Sequence, residues 1–307
     1  MKNKIIFMGT PEIALVYLKS LVESNQNVAA IFSQPPRKKD RGMTLKESPV
    51  HQFAKEKGIS IYTPNNLNSN YIIEDLNKLK PDLIVVMGYG LKLPNKVLNI
   101  PKLGCINIHV SLLPRWRGAA PIEHAILSGD QDTGVTIFKL VEKMDAGPII
   151  AQESVMIDNQ INKEDLTKRL NNVGIKLLKS VLPIIFNQKI DYKTQNDNKA
   201  TYANKITSDI RRLNFNENVK SVYNKIRAFS PKPGAWFNYK KERIKIIKSN
   251  FVKGDFEPSI ILNNQLHIGC KFGKICPEII QKEGKKPLNL ENFLRGFTIE
   301  VGDKVND

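Results

Sequence analysis

The sequence predicts an α/β protein: a doubly wound, mostly parallel sheet in the N-terminal part and a smaller barrel of short strands after it. Three observations predict this. Short apolar runs without charge, Lys4 to Met8, Val28 to Phe32, Leu83 to Met87 and Cys105 to Ile108, alternate with segments of helical period. Such continuous runs suit strands covered on both faces of a parallel sheet. The first two runs flank an amphipathic segment, a βαβ unit with a right-handed crossover, as in Rossmann-like folds. From about Ala200 the pattern changes to one amphipathic helix followed by five short strand candidates.

Along the chain, Thr10 is placed to N-cap the first helix, with Pro11 at its first position. Ile13, Leu15, Leu18, Leu21 and Val22 form the apolar face of that helix. Gly9 stands without a Gly-x-Gly-x-x-Gly fingerprint, which argues against a nicotinamide-dependent dehydrogenase. Residues 34–42 form a Pro-rich loop carrying Arg37, Lys38, Lys39 and Arg41. It follows the second strand, at the carboxyl edge where doubly wound sheets bind ligands, and its cations suit phosphates. Ser48-Pro49 starts a helix that Gly58 ends, Ile59 to Tyr62 is a short strand, and Tyr71 to Leu79 is helical. The Leu83–Met87 run opens into Gly88-Tyr89-Gly90, where backbone can approach a ligand closely. A helix over Pro121–Leu127, a strand from Gly134 to Leu140 and extended chain from Ile149 to Ile157 follow. Asn162 caps a long helix striped by Leu166, Leu170, Val173, Leu177 and Val181.

The polar stretch after Phe186 reads as a linker, so the expected domains are 1–188 and 205–307, joined by 189–204. In the second, Val219, Val222, Tyr223 and Ile226 mark a helix. Strands are expected at Ala235–Tyr239, Arg243–Lys248, Ser259–Leu262, Gln265–Cys270 and Lys274–Gln281, an OB-like set.

Composition narrows the function. The 307 residues are 41% hydrophobic and 25% charged, enough for a sizeable core. No apolar run approaches the ~18 residues of a membrane span, and the N-terminal run is too short for a signal peptide. Three cysteines, Cys105, Cys270 and Cys276, cannot build a disulfide framework. A cytoplasmic protein is expected, without membrane partner or metal, and a monomer. The net charge of +17 favours a polyanionic partner. Residues 1–188 hold 24 Lys+Arg against 17 Asp+Glu (+7), and 189–307 hold 23 against 13 (+10), so the second part is the more basic.

The chemistry gathers around Gly104 to Pro121. Strand period puts Asn107 and His109 on one face, and Asp145 follows in Met144-Asp145-Ala146-Gly147. An amide can donate to an oxygen that becomes an oxyanion. An imidazole can move protons or donate, and a carboxylate can orient it. Cys105 shares that face, yet no residue nearby is set to activate it. Ser111, before a Leu-Leu-Pro turn, shapes backbone or touches ligand. The set therefore points to direct acyl transfer onto a nucleophile supplied by the substrate.

Asn107-x-His109, then Ser111-Leu112-Leu113-Pro114-Arg115-Trp116-Arg117-Gly118-Ala119-Ala120-Pro121-Ile122, then Asp145-Ala146-Gly147 resembles the folate-dependent formyltransferases. Gly9-Thr10-Pro11-Glu12, Gln34-Pro35 and Tyr89-Gly90-Leu91 extend the resemblance over nearly the whole chain. It implies 10-formyltetrahydrofolate as donor and the amino group of initiator methionyl-tRNA as acceptor. It implies catalytic roles for Asn107, His109 and Asp145, and folate contacts at Ser111, Leu112, Leu113 and Pro114. The loop with Arg37, Lys38, Lys39 and Arg41 is implied to read the acceptor stem. Departures from the family pattern are Gly88, Lys92, Val110 and Arg211-Arg212-Leu213. The nearest alternative is a nucleotide-amino-sugar N-formyltransferase, whose acceptor requires neither the basic loop nor the basic second domain. A more distant one is an RNA-binding module with a relict enzyme domain, against which the intact Asn107, His109 and Asp145 argue.

Overall fold

The computed structural model describes residues 3–39 and 44–306. The chain divides into two compact units, Met1–Gly118 with Gly134–Val155 and Arg169–Tyr202, and Ala119–Thr133 with Met156–Lys168 and Ala203–Asp307. In the first, β1 (Lys4–Gly9) leads through α1 (Glu12–Glu23) to β2 (Asn27–Phe32). A short antiparallel hairpin follows, β3 (Arg37–Lys39) with β4 (Thr44–Lys46). Then come α2 (Pro49–Glu56), β5 (Ser60–Tyr62), α3 (Asn70–Leu79), β6 (Leu83–Met87), α4 (Asn95–Leu98), β7 (Cys105–His109) and the two-residue β8 (Arg117–Gly118). Beyond α5 (Pro121–Leu127), β9 (Asp132–Lys139) and β10 (Ile149–Met156) complete the sheet, and α6 (Lys163–Phe186) and β11 (Tyr202–Ala203) follow.

The seven strands lie in the order β10-β9-β7-β6-β1-β2-β5. From β5 to β7 every pairing is parallel, and β9 joins β7 antiparallel. Both faces are covered, which explains the charge-free runs. Ile6, Met8, Phe32, Ile84, Val86 and Cys105 pack in one core with Ile72 and Leu76 of α3 and Val97 of α4. On the opposite face, a Cβ on Gly9 would meet Phe7 at 2.6 Å and Ala14 of α1 at 2.8 Å, so glycine lets this helix seat closely. Burying each large strand side chain contributes about 1.5–3 kcal/mol.

Ser48 caps α2 by accepting from His51 N at 3.0 Å, and Asn162 accepts from Asp165 N at 3.0 Å at the start of α6. Thr10 does not cap α1, because Pro11 holds that position without a side-chain bond. Instead Thr10 Oγ1 donates to Tyr89 O at 3.0 Å and accepts from Gln34 N at 3.2 Å. It ties the ends of β1, β2 and β6 together. The segment expected as a linker is divided between the units, and through Tyr202 it packs with the first.

In the second unit, α7 (Val219–Phe229), β12 (Ala235–Tyr239), β13 (Glu242–Lys253), β14 (Ile268–Cys270), β15 (Gly273–Lys282), β16 (Leu288–Asn289) and α8 (Leu290–Arg295) follow in order. The strands form an antiparallel sheet, β12-β13-β15-β14, with β16 paired to β15. Its core joins Val222 and Ile226 of α7 to Phe215, Phe237, Ile244, Ile246, Ile275 and Ile280. The expected strand Ser259–Leu262 makes only single bridges, Ile260 to Lys304 and Ile261 to Ile268. Ser259 takes a φ of 66°, and Asn263 Oδ1 binds the amides of Gln265 and His267 in a side-chain turn. Leu266, at φ 51°, likewise delays β14 until Ile268. Among the described residues no helix is long and apolar enough to cross a membrane.

Candidate active site

Strand β7 ends at the carboxyl edge of the parallel sheet and brings Asn107 and His109 there. Asn107 is half-buried, and its side-chain amide has no hydrogen-bond partner among the described residues. His109 is 6% exposed, with its ring edge-on to Phe138 at 6.5 Å. Its Nε2 lies 2.8 Å from Trp116 O. A carbonyl can only accept, so Nε2 carries the hydrogen. Nδ1 then faces Asp145 Oδ2 at 3.9 Å. The carboxylate thus stands beside the one ring nitrogen that is free to take or release a proton.

Asp145 lies on the β9–β10 turn at φ 49°, a left-handed conformation that costs a non-glycine residue free energy. Its Oδ2 accepts from Gly118 N at 2.8 Å. Trp116, whose carbonyl receives His109, is also left-handed at φ 61°. His109 and Asp145, 36 positions apart in sequence, therefore come together where β7 and the β9–β10 turn meet, and Asn107 lies two residues before His109 on β7. Cys105, on the same strand face, is buried in the core, and burial pushes its thiol up to about 12. It is thus a core residue and not a nucleophile.

The Ser-Leu-Leu-Pro turn is internally bonded. Ser111 is fully buried, and its hydroxyl donates to Arg115 O at 2.6 Å. Thr136 of β9 donates to Ser111 O at 2.6 Å and accepts from Leu113 N at 3.1 Å. Leu113 packs on Phe138 and Ile149. Leu112 and Pro114, half-buried, keep accessible surface. Gly88 takes a φ of 56°, and a Cβ there would sit 3.1 Å from Pro11 Cγ. Lys92 pairs at the surface with Glu142 at 3.8 Å, and Val110 is buried.

Arg37 and Lys38 sit on β3, opposite Lys46 and Leu45 of β4, with Lys39 opposite Thr44. Arg37 Nη2 donates to Gln34 Oε1 at 2.8 Å, and Gln34 N in turn bonds Thr10, so the cationic hairpin is anchored to the sheet edge. Arg41 lies outside the described residues. Among the described residues no group of three or more His, Cys, Asp or Glu could hold a metal ion.

The sequence pattern of the formyl transferase family matches residues 2–182, and that of the formyl transferase C-terminal domain matches 205–298. The methionyl-tRNA formyltransferase of Ehrlichia chaffeensis is 43% identical over 96% of this chain and 98% of its own length. That of Pelagibacter ubique is 38% identical over 100% of both chains. The chain belongs to the methionyl-tRNA formyltransferase family. A solved N-formyltransferase from Helicobacter canadensis, in complex with folinic acid and dTDP-3-aminofucose, superposes with a TM-score of 0.67 at 23% identity. It covers 92% of this chain and 100% of its own. At that identity the likeness establishes the shared fold.

Some members of the site's surroundings escape a reading of local sequence. Thr136, Arg117 and Gln195 are buried polar residues whose partners lie far away in the chain.

Proposed function

We infer that this enzyme transfers the formyl group of 10-formyltetrahydrofolate to the amino group of initiator methionyl-tRNA. The observation that carries the reading is the approach of His109 Nδ1 to Asp145 Oδ2, 3.9 Å, with the uncommitted amide of Asn107 two residues earlier on the same strand. No activated protein nucleophile stands there among the described residues, so the acceptor amine itself attacks the formyl carbon. The new C–N bond forms as the carbonyl π electrons move to oxygen. Asn107 donates to that oxyanion, and a donor aimed at developing charge counts for more as the charge grows. His109 takes the proton of the attacking nitrogen at Nδ1, and the imidazolium is stabilised by Asp145. Collapse breaks the bond to N10 of the folate, and His109 Nδ1 passes the proton it took from the amine to that leaving nitrogen.

The folate donor meets the turn Ser111–Pro114. Ser111 and Leu113 shape the turn from inside, and Leu112 and Pro114 offer the contact surface. Arg37, Lys38, Lys39 and Arg41 engage the acceptor stem's phosphates. The second domain, read as an OB-like platform, holds the tRNA backbone. Its support is the set of antiparallel strands with two register shifts in the twelve-residue β13, the kind of bend that curls a sheet. A monomer working in the cytoplasm fits this role.

The test offers the purified protein 10-formyltetrahydrofolate with either charged initiator tRNA or a nucleotide-linked amino sugar. Formylation of the tRNA alone is expected, and formylation of the sugar alone would replace the reading.

A further inference from the structure

We propose that Gln195, locked by the buried Arg117, is a positioning residue that holds Asp145 against His109. Gln195 comes from the polar stretch after α6 and is 8% exposed. Its Oε1 accepts from Arg117 Nε at 3.1 Å and from Nη2 at 2.8 Å. Arg117 has no exposed surface, and a guanidinium only donates. That fixes which end of the amide is oxygen. The Nε2 end therefore points to the β9–β10 turn, where it donates to Asp145 O at 2.9 Å and to Gly147 O at 2.7 Å. Both hydrogens of one amide thus bridge the two carbonyls that bracket the left-handed turn.

The neighbouring bonds serve the same geometry. Arg117 Nη2 also binds Asp197 Oδ1 at 2.8 Å. Lys143, on the turn, bonds the other oxygen of Asp197, and the two cations, Lys143 first, hold that carboxyl below its usual range. Thr201 O accepts from Arg117 N at 2.9 Å, and its hydroxyl accepts from Trp116 N at 2.9 Å. Residues 195–201 thereby fasten both supports of His109, the Trp116 carbonyl and the Asp145 carboxylate. The left-handed backbone of Asp145 persists only if something over-determines it, and the Gln195 amide is the group placed to do so.

This rests on the reading of Asp145 as the partner of His109, and the experiment separates the two. Gln195→Met keeps the length and apolar stem of the side chain but removes donor and acceptor. Gln195→Glu keeps the acceptor for Arg117 and removes the donor to the turn. Both variants, Asp145→Asn, and the Gln195→Met/Asp145→Asn pair are assayed for formyl transfer to methionyl-tRNA. Amide exchange across residues 141–148 is followed by mass spectrometry. The expected result is faster exchange in that turn for both Gln195 variants, kcat lower by about 10–100-fold, and KM for either substrate within about twofold. Gln195→Met is expected to cost little more when Asp145 is already asparagine. Unchanged exchange would overturn the clamp. A Gln195→Glu enzyme as active as wild type would do the same, because it would leave only the acceptor role. Faster exchange with undiminished kcat, while Asp145→Asn is inactive, would overturn the positioning role. A fully active Asp145→Asn enzyme would instead overturn the reading of Asp145.

Discussion

Alanine at Gly147 is expected to disable the reaction in a chain that still folds. The new Cβ would lie 1.7 Å from Lys139 O, 2.9 Å from Lys139 C and 3.4 Å from Phe138 Cδ2. Real Cβ atoms essentially never come within 3.0 Å of such an atom, so strand β9 or the turn must yield by roughly 1.3 Å. β9 is held by its pairing with β7, and the turn is the softer partner. The displacement falls two residues from Asp145, on the residue whose carbonyl receives Gln195. A misplacement of about 1 Å in a catalytic constellation costs on the order of 100-fold in rate, or about 2.7 kcal/mol. The overpacking itself costs about 1–3 kcal/mol of stability, enough to lower the melting temperature by several degrees but not to unfold the protein. The assay is formyl transfer to methionyl-tRNA, with kcat and both KM values, beside a thermal melt. Gly296→Ala is the control, since nothing lies within 4 Å of a Cβ there. A Gly147→Ala enzyme with kcat within about threefold of wild type would refute the reasoning.

Other expectations are separable from this one. Asn107→Ala should lower kcat by about 100–1000-fold, the loss of one oxyanion donor, and near-normal turnover would remove Asn107 from the mechanism. Arg37→Glu with Lys38→Glu should raise KM for tRNA and flatten the dependence of binding on log salt by about one unit for each phosphate that is no longer neutralised; an unchanged salt slope speaks against the hairpin. Burial pushes the Cys105 and Cys270 thiols up to about 12, while the unfolded chain releases those protons from about pH 8.5. Their stabilising contribution is therefore complete below that pH and declines as pH rises toward 12, by about 1.4 kcal/mol per unit for each thiol. Urea midpoints measured near pH 8 and near pH 10 should fall more steeply for wild type than for Cys105→Ala/Cys270→Ala; parallel slopes would acquit the thiols.

Much of the first unit was legible because its strands are buried on both faces. The run Leu83–Met87 and the helix Pro121–Leu127 begin and end in the structure where composition puts them. Strand period put Asn107 and His109 on one face of a strand, and the structure has both on β7. Elements decided by backbone conformation or by distant partners were not. Ser259 and Leu266 adopt left-handed φ angles that nothing in their side chains announces. Lys248 to Lys253 continues β13 across two register shifts, with polar residues that read as the strand's end. Gln195, in a run of Gln, Asn, Asp and Lys, looks solvated. It is buried because Arg117, 78 positions earlier, supplies what water would have supplied. Local composition records hydrophobicity, but it does not record which polar group will meet which.

The fastening of the turn by residues 195–201 sets an order of events at the ribosome. A nascent chain that has emerged only through Phe186 already holds all seven strands of the large sheet and the whole of α6. It still lacks the amide for Asp145 O and the acceptors for Arg117 and Trp116. The strands of the sheet and the groups that complete the site thus leave the ribosome at different chain lengths. Truncations ending near residue 188 are expected to be inert, because they stop short of the segment through Thr201 that fastens the turn.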